Sequence, residues 1–257
     1  MAGGELFLAG LGAVLVLMTG VWGGSVVRRD ASLVDRYWGL GFVLVTLVWW
    51  GLSGWPPQAL WIVIPVLLWG LRLSIFITWR NWGHGEDGRY TDMRAGRSAG
   101  AFAARSLVTV FWLQGVLVAV IGLPMLAVIQ AKGLWWPLAA AGIVAWAAGL
   151  FLEAVADAQM ARFRADPASH GQVMDCGLWR YSRHPNYFGE IVVWIGFALL
   201  ALAAGGWWAV PSAVLMILLI LRVSGVTLLE RRLQASRPGY ADYVRRTNTL
   251  IPGPPRD

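Results

Sequence analysis

Seven apolar stretches, each about 20 residues long and able to cross ~30 Å of hydrocarbon as a helix, constrain this chain more than any other feature. They run over 6–27, 33–54, 58–79, 106–129, 134–160, 187–204 and 207–229. A helix satisfies its own backbone groups, which is what a segment surrounded by lipid requires. The expected fold class is an all-α integral membrane protein: a single domain over 1–257 with seven transmembrane helices, and a cytoplasmic tail from 230 to 257. Composition excludes the alternatives. Hydrophobic residues make up 58% of the chain and charged ones 14%, against roughly 45–50% and 25% in soluble domains. So few charges cannot cover that much apolar surface in water, which rules out a soluble globule, a disordered chain and a nucleic-acid-binding domain.

Local signals set the connections. Ser53-Gly54-Trp55-Pro56-Pro57 is a tight turn between the second and third stretches, and Ala204-Gly205-Gly206 joins the sixth to the seventh. Two helical hairpins follow. The fifth stretch keeps its helical pattern past Phe151 toward Phe163, so its end projects beyond the apolar layer. The lone Cys176 excludes an internal disulfide, and the opening segment is too long and too poor in basic residues for a secretory signal. No internal repeat of the transporter kind is present.

Charge gives the orientation. The net charge is +7, and Lys132 is the single lysine. Arg28, Arg29 and Arg36 fall in the first loop, Arg80, Arg89, Arg94, Arg97 and Arg105 in the third, and Arg162, Arg164, Arg180 and Arg183 in the fifth. The tail adds Arg231, Arg232, Arg237, Arg245, Arg246 and Arg256, whereas the even-numbered loops and the N-terminus hold only Lys132. Positive residues stay on the cytoplasmic side, which predicts an outside N-terminus and an inside C-terminus.

Charges inside the apolar stretches need partners or a wet cavity, since each costs at least ~2.5 kcal/mol at mid-membrane. Arg72, Arg222, Glu153, Asp157 and Glu190 are such residues. Glu153, Asp157 and Arg164 fall within about 40° of one another on a helix and form a polar stripe. One reading is structural ion pairing, Glu153 with Arg72 or Asp157 with Arg222. The other is a cytoplasm-facing polar cavity for an anionic ligand, since arginine forks match phosphate.

The richest stretch runs from Gly177 to Glu190 and interleaves Trp179, Arg180, Tyr181, Arg183, His184, Asn186 and Tyr187. Pro185 opens a helix, Arg180 and Arg183 are placed to clamp an anion, and Asn186 and Glu190 share a helix face. Interfacial anchoring accounts for the aromatics taken singly but not for the polar residues among them. His84, His170 and His184 have no metal-ligand spacing, so no metal site is expected. Ser182 lacks a nucleophile elbow, and no glycine fingerprint marks a Rossmann fold.

Leu178-Trp179-Arg180-Tyr181-Ser182-Arg183-His184-Pro185-Asn186-Tyr187-Phe188-Gly189-Glu190 resembles the C-terminal signature of the steroid 5α-reductase superfamily, in particular its bacterial reductase-like branch. Asp35-Arg36-Tyr37-Trp38-Gly39, Glu86-Asp87-Gly88-Arg89-Tyr90 with Arg94, the run from Glu153 to Phe163, and the tail from Glu230 to Pro252 extend the resemblance. It implies a membrane reductase that holds NADPH in a cytoplasm-facing cavity and delivers hydride to the β-carbon of a lipophilic, steroid-like enone. It places cofactor contacts on Asp157, Arg164, Asn186 and Arg222, and the enone carbonyl against Glu190. Glu153, Trp179, Arg180, Tyr181, Arg183, His184 and Tyr243 join the expected cofactor set, with the tail packed on that site. Arg80, Arg89 and Arg94 are candidates for the cofactor phosphates.

The family's third-span tyrosine falls here on Trp69, which can donate through its indole but cannot pass a proton. Its glutamine has no clear counterpart; Gln58 lies on the wrong side, and Asp35 or Tyr37 are the candidates to serve instead. Isoprenylcysteine carboxyl methyltransferases share the Arg-His-Pro-x-Tyr core and use S-adenosylmethionine. The Asn186-x-x-Gly189-Glu190 ending and the number of arginines favour NADPH over that cofactor. A non-enzymatic lipid-binding or scaffold protein is the third reading. The expected partners are membrane lipid and a lipophilic small molecule, not nucleic acid.

Overall fold

The computed structural model describes residues 1–224, 230 and 239–256. Every regular element among them is helical. The α-helices are α1 (Gly3–Arg28), α2 (Leu33–Arg36), α3 (Trp38–Leu52), α4 (Leu60–Arg80), α5 (Gly88–Arg94), α6 (Ala99–Ser106), α7 (Leu113–Ile121), α8 (Leu123–Gln130), α9 (Trp136–Ala165), α10 (Pro185–Ala203), α11 (Val210–Leu218) and α12 (Tyr240–Arg246). Wider π-helical turns join α6 to α7 over Leu107–Trp112 and follow α11 over Leu219–Ser224. The end of the seventh expected stretch, 225–229, and the tail segment 231–238 with Arg231, Arg232 and Arg237 lie outside the described residues.

Among the described residues, five helical runs are long and apolar enough to cross a membrane: Gly3–Arg28, Pro57–Arg80, Ala99–Gln130, Trp136–Ala165 and Pro185–Ala203. The protein is thus a multi-pass membrane protein. Two of the seven expected stretches are shorter as described, Trp38–Leu52 and Trp207–Arg222. The second departs from expectation because the chain breaks at Tyr37, whose φ of −98° and ψ of 0° interrupt the helix between α2 and α3. What remains spans about 22 Å at 1.5 Å per residue, short of a ~30 Å core. The fifth stretch does run on past Phe151, to Ala165.

The chain divides into two compact units, residues 1–134 with 204–212, and 135–203 with 213–257. In the first, α1, α3, α4 and α7 pack around Phe42, Trp49, Trp69 and Met18. The predicted turn after α3 takes left-handed backbone at Gly54 (φ 80°) and Trp55 (φ 58°). Trp55 packs edge-on to Trp50 at 4.7 Å, and Trp50 donates to the Pro56 carbonyl at 3.1 Å, which offsets the strain of a non-glycine residue there. An apolar cleft of about 400 Å³ opens along α4, lined by Leu40, Leu71, Ile75, Thr78, Trp79 and Trp82.

In the second unit, α9 and α10 touch backbone to backbone. A Cβ placed on Gly149 would meet the Val193 nitrogen at 2.5 Å and the Gly189 oxygen at 2.6 Å. A Cβ on Gly196 would meet the Gly142 oxygen at 2.7 Å. Glycines two turns apart on each antiparallel helix thus form a seam, as small residues do where membrane helices approach closely. Gly189→Ala should cost about 1–3 kcal/mol, because its Cβ would lie 2.6 Å from the Glu153 nitrogen and backbone cannot step aside. Gly12→Ala, with nothing within 4 Å, should be neutral or stabilising by up to about 1 kcal/mol. Thermal unfolding of both variants in detergent checks the contrast; equal midpoints would show that the seam is not tight.

Candidate functional site

The glycine seam decides where the polar residues of the second unit stand. Glu153 follows Gly149 by one turn and lies against Gly189, and Asp157 follows by another turn. Both are buried, at 3% and 6% exposure. Asn186, in the first turn of α10, donates through Nδ2 to Asp157 Oδ1 at 3.2 Å. Glu190, one turn on and also buried, accepts from Trp194 Nε1 at 3.1 Å. The stripe expected on α9 and the face expected on α10 therefore meet through the Asp157–Asn186 bond.

The loop before α10 is built against α9 and the tail. Leu178 donates its backbone N–H to Gln159 Oε1 at 2.9 Å, and Gly177, at φ 60°, sits where a Cβ would strike that same oxygen at 2.6 Å. Trp179 packs with Ala156 and Met174 and donates to the Ala156 carbonyl at 3.1 Å. The tail closes over this loop. Tyr243, buried on α12, donates to the Trp179 carbonyl, and Ser182 donates through its hydroxyl to the Leu250 carbonyl at 2.7 Å. The backbone adds Arg183 N–H to Asn248 O at 2.8 Å and Gly253 N–H to Tyr181 O at 3.1 Å.

Arg183 organises that closure. It is buried, and its guanidinium donates to Glu230 Oε1 at 2.7 Å, to the Val244 and Thr247 carbonyls at 3.0 and 2.6 Å, and to Thr249 Oγ1 at 2.8 Å. The side chain expected to clamp an outside anion thus binds the protein's own tail. Arg180 and Arg164 are exposed, as are Arg222 and Tyr181.

Glu230, which the sequence marked only as the start of the tail resemblance and gave no role, is the acceptor shared by Arg183 and His184 Nε2, the latter at 3.2 Å. Burial pushes its carboxyl upward, but the bond and charge of Arg183, aided by His184, outweigh this and hold it below the usual carboxylate range. His184 is 1% exposed. Desolvation, helped by the Arg183 charge, drives its pKa below the ordinary value against the pull of Glu230.

The first unit holds a separate polar cluster. Asp35 accepts from Arg89 Nη2 at 2.7 Å and from the Tyr90 hydroxyl at 2.8 Å. Arg94 grips Glu86 through Nε at 3.0 Å and Nη2 at 2.7 Å and stacks 4.1 Å from the Phe102 ring centre. Glu86 also accepts from the Ala31 N–H at 2.7 Å. The first and third loops are stitched together by these bonds. Burial works against ionisation of Glu86, yet the bonds from Arg94 and Ala31 hold its pKa below the usual value. Arg80, exposed, bonds Asn81 at 3.1 Å. Tyr37 is half-buried at the helix break. Trp69 is fully buried with its ring 5.5 Å from that of Phe42. Of the sequence-derived residues, Asp35, Tyr37, Trp69, Arg72, Arg80, Arg89 and Arg94 fall in this unit, and the residues expected from Glu153 onward fall in the second.

No group of three metal-ligating side chains occurs among the described residues. The second unit of this helical membrane protein thus carries buried acids, an amide and a histidine at one end of a glycine-packed helix pair. The chain belongs to the family described as "Protein of unknown function (DUF1295)", whose model matches residues 21–247. That family is related to steroid 5α-reductase-like proteins. No curated protein and no solved structure matches the chain.

Acid should loosen the tail closure. His184 and Glu230 both have folded pKa values below their ordinary 6.5 and 4.5, so the folded state holds fewer protons than the unfolded chain as pH falls through those windows. Their stabilisation is present above pH 6.5 and is lost progressively below it. Thermal midpoints measured from pH 8 to 4 should fall, beginning near 6.5, and His184→Gln should flatten the first part of that fall. Arg183→Ala should cost about 3 kcal/mol, since it leaves a partly buried carboxylate without its cation and two carbonyls without their donor.

Proposed function

We propose that the protein is a membrane-embedded reductase that uses NADPH to reduce the C=C bond of a lipophilic α,β-unsaturated ketone, steroid-like in shape. In this reading seven helices cross a bacterial inner membrane, with the N-terminus outside and the site facing the cytoplasm. The observation that carries it is the Asp157–Asn186 bond beside Glu153 and Glu190, set in the signature that resembles the reductase superfamily.

The residues fit the cofactor. With Nδ2 turned to Asp157, Asn186 keeps a buried Oδ1 that has no hydrogen-bond partner among the described residues, an acceptor suited to the carboxamide N–H of a nicotinamide. When bound, the reduced nicotinamide supplies the hydride. Arg164, Arg180 and Arg222, all exposed, present guanidinium groups to the phosphates. Trp179, Tyr181, His184 and Tyr243 belong to the walls, and Arg183 shapes them by holding the tail.

As hydride bonds to the β-carbon, the C=C electron pair moves toward the carbonyl oxygen, and a proton later reaches the α-carbon. Glu190, protonated, donates a hydrogen bond to that oxygen as its charge grows. A group aimed at developing charge in a desolvated site stabilises the transition state more than the ground state.

Purified protein in detergent should oxidise NADPH in the presence of one or more members of an enone panel. Glu190→Gln should lower turnover by about 100-fold or more with cofactor affinity kept, the size of one lost oxyanion donor. Turnover equal to wild type would remove Glu190 from the chemistry. Binding of S-adenosylmethionine with no affinity for NADPH would replace the reductase reading by the methyltransferase one.

A further inference from the structure

Glu230 lies in the tail, far along the chain from the signature, yet it shares Oε1 between Arg183 Nε at 2.7 Å and His184 Nε2 at 3.2 Å. A carboxylate paired with a buried arginine is an acceptor, so the imidazole nitrogen facing it is the one that carries hydrogen. A neutral ring has one N–H, which leaves Nδ1 as a bare lone pair. Nδ1 is buried and has no hydrogen-bond partner among the described residues. A desolvated acceptor of this kind costs about 1–3 kcal/mol unless a donor meets it. The ring cannot readily swing to find one: Tyr187 stacks on it at 5.6 Å with planes 21° apart, and the His184 backbone N–H is fixed by Ser182 Oγ at 3.1 Å.

We infer that Glu230 is a positioning residue: it locks His184 in the Nε2–H tautomer, so that Nδ1 is kept as an acceptor for an N–H or O–H donor on the bound ligand. The inference about the ligand rests on the reductase reading, with NADPH as that ligand; the tautomer lock stands on the geometry of Glu230, Arg183 and His184 alone. The arrangement parallels Asp157 and Asn186, where an acid takes the amide N–H and leaves the carbonyl oxygen open. In both, a fixed carboxylate decides which face of its neighbour a ligand meets.

The test is nitrogen NMR of protein labelled at its three histidines, with His184→Gln to assign the His184 signals. Wild type should show the neutral Nε2–H tautomer at His184. Its Nδ1 resonance should move upfield as NADPH is added and gains a donor. Glu230→Gln, which can offer either an acceptor or a donor, should give mixed tautomers and raise the KM for NADPH about tenfold with kcat changed much less. Glu230→Asp keeps the charge and should restore a single tautomer; it also guards against a glutamine variant that fails to fold. An Nδ1–H tautomer in wild type, or an unchanged tautomer in Glu230→Gln, overturns the lock. An Nδ1 resonance indifferent to bound NADPH overturns the ligand contact. Failure of wild type to bind NADPH counts against the reductase reading, and the tautomer measurement still decides the role of Glu230.

Discussion

The backbone contact between α9 and α10 is the constraint on which the candidate site depends. Gly142, Gly149, Gly189 and Gly196 let two membrane helices approach until peptide groups touch. In lipid there is no hydrophobic force to bring helices together, so close van der Waals contact must do it. That contact fixes the register, and the register brings Asp157 opposite Asn186 and Glu153 opposite Gly189. A shift by one residue on either helix would turn the acids away. Polar groups in such a place are costly, and a rigid seam makes their placement repeatable.

The tail is the second structural device. Arg183 gathers Glu230, two carbonyls and Thr249, while Tyr243 and Ser182 tie α12 and the residues beyond it to the loop before α10. A loop rich in arginine and aromatic side chains would otherwise be mobile at a membrane surface. Here its backbone carbonyls and N–H groups have named partners. The loop's exposed residues, Arg180 and Tyr181, are left to meet whatever binds.

Much of this was readable from the residues. Apolar length exposed the helical membrane class, Pro185 marked the start of α10, and the pattern past Phe151 foretold the long end of α9. The break at Tyr37 was not readable, because the run from 33 to 54 is apolar but for Asp35 and Arg36, and periodicity does not register a single residue leaving helical backbone. The seam was present as paired glycines two turns apart, but glycine is common in membrane helices and its spacing means little until the partner helix is known. Arg183 was read as an anion clamp because its chemistry permits that; the competing acceptors sit 47 to 66 residues away in the tail, beyond any local pattern. Asp35 and Arg94 were likewise read singly, although each has an opposite charge from a distant loop or a nearby turn, Arg89 and Glu86.

The functional account turns on whether the protein binds the cofactor proposed for its second unit. Titrating purified protein calorimetrically with NADPH, and separately with S-adenosylmethionine, probes this most directly. The account predicts saturable binding of NADPH that is weakened when Asn186 is replaced by Leu, and no binding of S-adenosylmethionine. Heat from S-adenosylmethionine alone, or from neither compound, would contradict it.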